Sequence, residues 1–148
     1  SYSLINRWIE KDLSSSLKKN EIGCIAFSPL AQGMLSEKYL KGIPKISRAN
    51  QTITSLDKKL ITKRNIQIIQ ELNMIAKNRG QSLSQMAIAW VLNNKIITSA
   101  LIGVRNTKQL LENVHALENL NFSKEELKLI DKKALDGGIN IWAQSSSF

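Results

Sequence analysis

Two short stretches of the chain combine residue types that suit an anionic ligand. The first, Ser28 to Gly33 (SPLAQG), follows an apolar run and consists largely of residues that leave the backbone accessible. The second, Gly103 to Asn106 (GVRN), leads into a helix predicted to start near Thr107. A helix N-terminus presents unpaired N–H groups and a partial positive charge, which favour phosphate. Taken alone, however, most turns such as SPLAQG are ordinary loops that bind nothing.

The predicted helix after GVRN places Arg105, Gln109 and Asn113 along one face, because each is four residues from the next. Arg105 supplies a planar guanidinium suited to bidentate phosphate contact, and the two amides suit a base or ribose edge. We expect Leu110 and Val114 to face the core. Arg105 alone fits a capped helix with an exposed arginine, whereas its combination with a strand end and two aligned amides favours a phosphate site.

The elements that must position these stretches alternate between strands and helices. Helical spacing of apolar residues is found at 8–17, 61–76, 83–91, 110–117 and 127–134, with capping boxes at Ser82–Gln85 and Ser123–Glu126. Strands, apolar on both faces as in a covered parallel sheet, are predicted at 23–27 and 98–103, with Tyr2 to Ile5 as the end of an earlier strand. This order predicts a parallel α/β fold, whose ligand sites lie at the carboxyl ends of the strands. Three strands fit the last part of a (β/α)8 barrel, which needs about 250 residues.

Composition narrows the function classes. The 148 residues suit one domain, 1–148, with a long loop at about 28–56 and an irregular tail at 136–148. The net charge of +9 indicates a general preference for anions, but the basic residues are scattered and aromatics are few, so no nucleic-acid partner is predicted. No apolar run approaches the roughly 20 residues of a membrane span. A single cysteine, Cys24, and no signal sequence favour a cytoplasmic protein, with Cys24 as a small buried hydrophobe.

Five stretches together resemble the C-terminal half of an aldo-keto reductase: AFSPLAQGMLSEKY, GIPKISRA, QSLSQMAIAWVL, TSALIGVRNTKQLLENVHAL and DGGINIW. They occur in family order over nearly the whole chain, and neither GxxxxGK[ST] nor GxGxxG is present. The chain is most similar to the branch that contains potassium-channel β subunits and bacterial L-glyceraldehyde 3-phosphate reductases. The resemblance implies a (β/α)8 barrel that binds NADP(H) in an extended pose at its C-terminal face.

The resemblance also implies a role for particular residues. Phe27 matches the aromatic residue that stacks on the nicotinamide, and the loop along the ribose and pyrophosphate comprises Ser28, Pro29, Leu30, Ala31 and Gly33. Lys38 and Arg48 match basic residues of a flap over the pyrophosphate. The site for the adenosine and its 2′-phosphate comprises Gly103, Arg105, Gln109, Glu112 and Asn113. Glu112 is assigned by the resemblance alone.

The family's catalytic Asp, Tyr, Lys and His lie in the first half of the barrel. His115, Tyr2 and Tyr39 do not match those positions, so no catalytic residue and no metal ligand is predicted here. The sequence therefore predicts the NADP(H)-binding half of a reductase of aldehydes and ketones, without turnover by these 148 residues alone. Trp142 is a weak candidate for the carbonyl substrate pocket and fits an ordinary exposed or packed tryptophan better.

Two other interpretations remain open from the sequence. One is a nucleotide-sensing subunit that docks to a partner, like the channel β subunits; the other is a basic nucleic-acid-binding domain, which lacks a clustered positive face. The chain starts without Met, as a fragment or processed piece does. Half a barrel leaves strand edges uncovered, so we expect a missing N-terminal half or another copy of the chain to be needed.

Overall fold

The computed structural model describes residues 1–40 and 60–134. Within them lie two strands, β1 (Cys24–Phe27) and β2 (Ile97–Leu101). The α-helices of this part are α1 (Leu13–Lys19), α2 (Lys63–Asn78), α3 (Leu83–Asn93), α4 (Thr107–Val114) and α5 (Lys124–Lys133). The predictions for Arg48, for the stretch GIPKISRA and for the tail with Trp142 lie outside the described residues.

Strands β1 and β2 pair in parallel, as predicted. Ala26 is opposite Ala100 and Phe27 is opposite Leu101, so both strands end at the same level. Gly23 precedes β1 instead of belonging to it, and a Cβ there would clash with the side chain of Thr98. A larger residue at position 23 would therefore require the Thr98 side chain to move.

The first residues do not form the strand end that was predicted. Ser3 and Asn6 form an isolated antiparallel bridge, with both N–O distances 3.1 Å, so the chain turns back on itself at Leu4 and Ile5. One bond joins this turn to the sheet: Tyr2 N donates to Phe27 O at 3.2 Å. Because the turn uses the backbone groups of Ser3 locally, the pairing with β1 goes no further.

The helix predicted at 8–17 is also divided. A 3-10 turn, Trp8–Glu10, comes first, and α1 starts after two intervening residues. The 3-10 turn lies in an ionic cluster: Arg7 pairs with Glu10 at 2.9 Å and with Asp131 of α5 at 2.8 Å. The Arg7 guanidinium also lies 5.0 Å from the ring centroid of Trp90 in α3. This cluster ties the start of the chain to two later helices.

Helices α2 and α3 form where the apolar periodicity predicts them, with α2 beginning two residues after Ile61. Thr62 accepts from Asn65 N at 3.1 Å, and Gly80, with φ of 69°, follows the end of α2. The α3 capping box is confirmed: Ser82 Oγ accepts from Gln85 N, and Gln85 Oε1 accepts from Ser82 N at 2.9 Å. The predicted inward residues of both helices are buried: Ile68, Leu72, Ile75 and Ala76 of α2, and Leu83, Met86, Ala87, Trp90 and Val91 of α3.

A buried arginine joins the end of α2 to the start of α5. The Arg79 side chain is 2% exposed and lies 3.7 Å from the ring centroid of Phe122. It pairs with Glu126 at 2.7 Å and donates to Asn121 O at 3.0 Å. Glu126 in turn completes the predicted capping box with Ser123. The charge of Arg79 is thus paired and hydrogen-bonded, as a buried charge requires.

Apolar residues of the sheet and of α4 are exposed, contrary to two predictions. Ile25 of β1 and Leu101 of β2 are 68% and 61% exposed, so the sheet is not covered on both faces. The predicted apolar face of α4 and the following 3-10 turn is also exposed: Leu110, Leu111, Val114 and Leu117. The prediction that Leu110 and Val114 face the core was therefore wrong. The physical reason is that α4 packs on α3 along its polar side, and no described element packs on its apolar side.

Among the described helices, none combines the length and the hydropathy that a membrane crossing needs.

The Arg79–Glu126 pair predicts a pH dependence of stability. The Ser123 N–H and then Arg79 hold the pKa of Glu126 below its ordinary value. A carboxylate with a lowered pKa in the folded state contributes stability that is present above its unfolded pKa and lost as the pH falls. We expect Glu126→Gln to lower the free energy of unfolding at pH 7 by about 1–2 kcal/mol.

The control is Glu125→Gln, which removes an exposed carboxylate from the same first turn of α5. Urea unfolding between pH 3 and pH 7 measures both variants. The effect of Glu126→Gln should shrink below about pH 4.5, the region of the unfolded pKa. An effect that is equal for both variants, or independent of pH, would contradict the assigned role.

Candidate functional site

One cavity, of about 890 Å³, opens at the carboxyl ends of β1 and β2. Because the strands are parallel and end at the same level, the loop after β1 and the loop after β2 meet there. Most of the predicted site residues line it: Phe27, Ser28, Pro29, Leu30, Gly33, Lys38, Gly103, Arg105, Gln109, Glu112 and Asn113. The structure thus brings together two stretches that are about 70 residues apart in the sequence.

Two predicted residues are not among the lining residues of the cavity. Ala31 is buried, 4% exposed, and contributes to the core beneath the loop together with Met34 and Leu35. Arg48 lies outside the described residues. For all the predicted positions, cofactor binding itself stays a prediction, whereas their location around one cavity is a structural fact.

The loop after β1 has an unusual backbone. Ser28, Ala31, Gln32 and Gly33 have φ values of 56°, 46°, 60° and 94°. A left-handed conformation costs a residue other than glycine roughly 1–2 kcal/mol. Such strain persists only where the surroundings determine the conformation. This loop is therefore held in one shape.

Hydrogen bonds within the loop maintain that shape. Ala31 N donates to Ser28 O at 2.9 Å, and Leu30 O accepts from Gly33 N at 2.8 Å and from Leu35 N at 3.1 Å. Leu35 is fully buried, so these bonds fasten the loop to the core. These bonds and the buried residues hold this wall of the cavity in one conformation.

The second wall is formed by GVRN and α4. Asn106 caps α4, since its Oδ1 accepts from Gln109 N at 2.9 Å. Gln109 Oε1 accepts from Arg105 N at 3.0 Å. The amide of Gln109 therefore holds the backbone of Arg105, a local role that the sequence interpretation did not foresee. Asn113 is buried, 8% exposed, whereas Arg105 is exposed.

Charges of both signs line the cavity. Lys38 and Arg105 are exposed cations, and Glu37 and Glu112 are exposed anions. A positive potential is therefore local to Lys38 and Arg105 and does not extend over the whole cavity. Across residues 1–40 and 60–134, no group of three or more His, Cys, Asp or Glu side chains is arranged to hold a metal ion.

Several lining residues were missed by sequence reasoning: Gln32, Ser36, Glu37, Tyr39, Ser84, Leu101 and Ile102. Most of them lie in the strand ends and loops that were already predicted to form the site, next to the residues that were named. Ser84 is different, because it lies in the first turn of α3, far away in sequence. Its Oγ donates to Leu35 O at 3.3 Å, and nothing in the local pattern of the sequence signals that contact.

The His and Tyr residues that were not predicted to be catalytic lie in different parts of the structure. His115 is exposed in the 3-10 turn after α4 and does not line the cavity. Tyr2 is buried, and its hydroxyl donates to Glu10 at 2.6 Å; burial, reinforced by that carboxylate, raises its pKa. Tyr39 lines the cavity and is 2% exposed. Cys24 is half-buried, outside the lining.

Comparisons with known proteins agree with this architecture. The model of the aldo/keto reductase family matches residues 1–135. An L-glyceraldehyde 3-phosphate reductase of Escherichia coli O157:H7 is 47% identical over 150 aligned residues, which cover 99% of this chain and 43% of the relative. A protein of Schizosaccharomyces pombe named as a voltage-gated potassium channel subunit beta is 36% identical over 127 residues, covering 83% of this chain and 37% of the relative.

Solved structures give the same result for the fold. A glycerol dehydrogenase from Gluconobacter oxydans superposes with a TM-score of 0.70 at 25% identity, over 88% of this chain and 39% of the other. The chain thus spans less than half the length of the relatives it matches. The predicted fold class, part of a (β/α)8 barrel, is confirmed.

The two glycines of the cavity wall allow a test of the strained loop. A Cβ would meet nothing within 4 Å at either Gly33 or Gly103, but only Gly33 has a positive φ, 94°. We expect Gly33→Ala to lower the free energy of unfolding by about 1–2 kcal/mol through backbone strain.

The matched control is Gly103→Ala, which we expect to be neutral or slightly stabilising. Urea denaturation of both variants measures the difference. Equal changes in the free energy of unfolding for the two substitutions would contradict the prediction that the positive φ at position 33 favours glycine.

Proposed function

The chain belongs to the aldo/keto reductase family, and from that membership we propose that it supplies the NADP(H)-binding part of a reductase acting on aldehydes or ketones. The observation that carries this proposal is the cavity at the carboxyl ends of β1 and β2. It is lined from two sides by most of the residues that the family resemblance assigns to the cofactor. A cavity of about 890 Å³ is near the upper end of the range for ligand pockets, which suits a dinucleotide.

The proposed roles follow the order of residues around the cavity. Phe27, a cavity residue that is 37% exposed, supplies an aromatic ring for a planar group such as nicotinamide. The strained loop from Ser28 to Gly33 presents a fixed backbone for the ribose and pyrophosphate, with Lys38 as the nearby cation. Arg105, Glu112 and Asn113 hold the adenosine end, where the guanidinium of Arg105 binds the 2′-phosphate. When bound, NADPH supplies the hydride that reduces the carbonyl carbon.

The proton donor for the carbonyl oxygen is proposed to come from outside these 148 residues. His115 and Tyr2 do not line the cavity, and Tyr39 lines it but is only 2% exposed. None of the three matches a catalytic position of the family. We propose that the chain alone has no reductase turnover. For the complete protein, a small phosphorylated aldehyde is a suitable first substrate, because the relative at 47% identity is named for L-glyceraldehyde 3-phosphate.

The exposed apolar residues support a covering partner. Ile25 and Leu101 of the sheet and the apolar side of α4 are uncovered in the described residues. Large apolar side chains grouped on one exposed face, as on α4, are typical of an interaction site. We propose that residues 1–148 form part of a single barrel domain, and that the remaining part of the barrel covers this surface; a second copy is the other proposed occupant.

A binding subunit is the alternative function. It is favoured by one observation, the 36% identity to a protein named as a potassium channel subunit beta. Under this alternative the nucleotide site serves as a sensor and turnover is negligible. Co-purification of a membrane protein with a full-length protein that binds NADPH but does not oxidise it would support the alternative over the reductase.

Arg105→Ala tests the cofactor assignment in the full-length protein. Loss of a charge-assisted hydrogen bond to phosphate costs about 1.5–3 kcal/mol, so we expect the Kd for NADPH to rise about 10- to 100-fold. The Kd for NADH should change little, because NADH lacks the 2′-phosphate.

The control is Lys108→Ala, which removes an exposed cation of α4 that does not line the cavity. Fluorescence titration of both nucleotides measures the preference. An unchanged preference of Arg105→Ala for NADPH over NADH would contradict the assignment of Arg105 to the 2′-phosphate.

The exposed apolar surface predicts how the 148-residue chain behaves when it is expressed alone. We expect it to self-associate or precipitate, because exposed apolar surface associates in water. The double variant Leu110→Lys/Leu117→Lys should increase the monomer fraction, measured by size-exclusion chromatography with light scattering. Leu129→Lys, at an exposed leucine of α5, is the control and should have a smaller effect. A monodisperse wild-type monomer of 16.6 kDa would contradict the need for a covering partner.

A further inference from the structure

The side-chain amide of Gln85 makes two bonds to two different helices. Its Oε1 accepts from Ser82 N at 2.9 Å, which completes the capping box of α3. Its Nε2 donates to the backbone O of Glu112 in α4 at 3.1 Å. The capping bond accounts for a Gln or a Glu at this position, but only the amide of Gln has the donor that reaches α4.

The acceptor of this bond lies where a helix needs a partner. Glu112 belongs to the last turn of α4, after which the chain continues as the 3-10 turn His115–Asn119. The last carbonyl groups of an α-helix lack partners within the helix and are satisfied from outside it. Gln85 provides one such partner, and it provides it from the first turn of α3.

This attachment acts on the part of α4 that lines the cavity. Glu112 and Asn113 are both lining residues, and Asn113 is buried. Two other side chains bond to the 3-10 turn that follows α4. Gln81 Nε2 donates to Asn119 O at 3.1 Å, and Arg79 Nη2 donates to the same oxygen at 3.3 Å. They fix the end of the 3-10 turn, whereas Gln85 bonds at the cavity residue itself.

We propose that Gln85 is a positioning residue of the nucleotide site, which holds Glu112 and Asn113 at the distance from the strand-end loops that the adenosine end of the cofactor requires. The inference rests on the proposed function and adds to it a residue that does not line the cavity. Its effect belongs to the adenosine end alone, because Phe27 and the strained loop are held by other bonds.

The test compares two substitutions in the full-length protein. Gln85→Glu keeps an oxygen acceptor for Ser82 N and places a negative charge at a helix N-terminus, which is favourable. It loses the N–H donor to Glu112 O, and a carboxylate oxygen then faces that carbonyl oxygen, which is repulsive. Ser82→Ala removes the capping hydroxyl and leaves the bond to Glu112 in place, so it controls for the stability of α3.

Two ligands separate the ends of the site: NADPH and adenosine 2′,5′-bisphosphate, which has only the adenosine end. For Gln85→Glu we expect the Kd of both ligands to rise by the same factor, about 3- to 10-fold. In turnover with a small aldehyde, the loss should appear in the KM for NADPH and not in kcat. For Ser82→Ala we expect a lower Tm and unchanged Kd values.

The outcomes are distinct. Wild-type Kd values for both variants, or equal weakening by Gln85→Glu and Ser82→Ala, would overturn the positioning role of Gln85 and leave the cofactor site intact. A wild-type protein that binds neither ligand would contradict the proposed function itself. Weakening by Gln85→Glu alone, with its Tm at or above that of Ser82→Ala, supports the inference, because a merely structural role would move the Tm first.

Discussion

The parallel pairing of β1 and β2 is the constraint on which the rest of the site depends. Parallel strands end at the same edge, so the chain must leave Phe27 and Leu101 side by side. Everything that lines the cavity either follows one of these two ends or is anchored to a segment that does. An antiparallel pair would place the loop from Ser28 and the loop from Gly103 at opposite edges, and their side chains would not share a cavity.

The two walls of the cavity are built on different physical principles. The wall after β1 is a short run of left-handed residues, in which strain is offset by burial of Ala31, Met34 and Leu35 beneath it. The wall from α4 is a regular helix, positioned by side-chain bonds to its ends and to Glu112 O. A strained loop cannot move far without losing its core contacts. A helix held by a few side-chain hydrogen bonds can shift when one of those bonds is lost. The adenosine end is therefore the adjustable part of the proposed site.

Much of the fold could be predicted from the sequence, because local signals carried it. Capping boxes at Ser82 and Ser123 mark helix starts with their own hydrogen-bond chemistry, and apolar periodicity gave the buried faces of α2 and α3. Family motifs gave most of the cavity residues. The error on α4 has a tertiary cause: periodicity shows that Leu110 and Val114 share a face, but which face is covered depends on the elements that lie beside it. The contacts of Ser84 and Gln85 were likewise invisible, because they join residues far apart in sequence.

The exposed apolar surface and the cavity are two consequences of the same partial barrel. Closing a barrel requires every strand to pair on both sides, and β1 and β2 pair with each other in the described residues. The surface left open at Ile25 and Leu101 lies on the strands that carry the cavity, so whatever covers it also borders the ligand site. A segment that closes the barrel beside Phe27 would lie next to the place proposed for the nicotinamide, and could supply the proton donor there. The division proposed here, with cofactor binding in this chain and proton transfer outside it, follows from that adjacency.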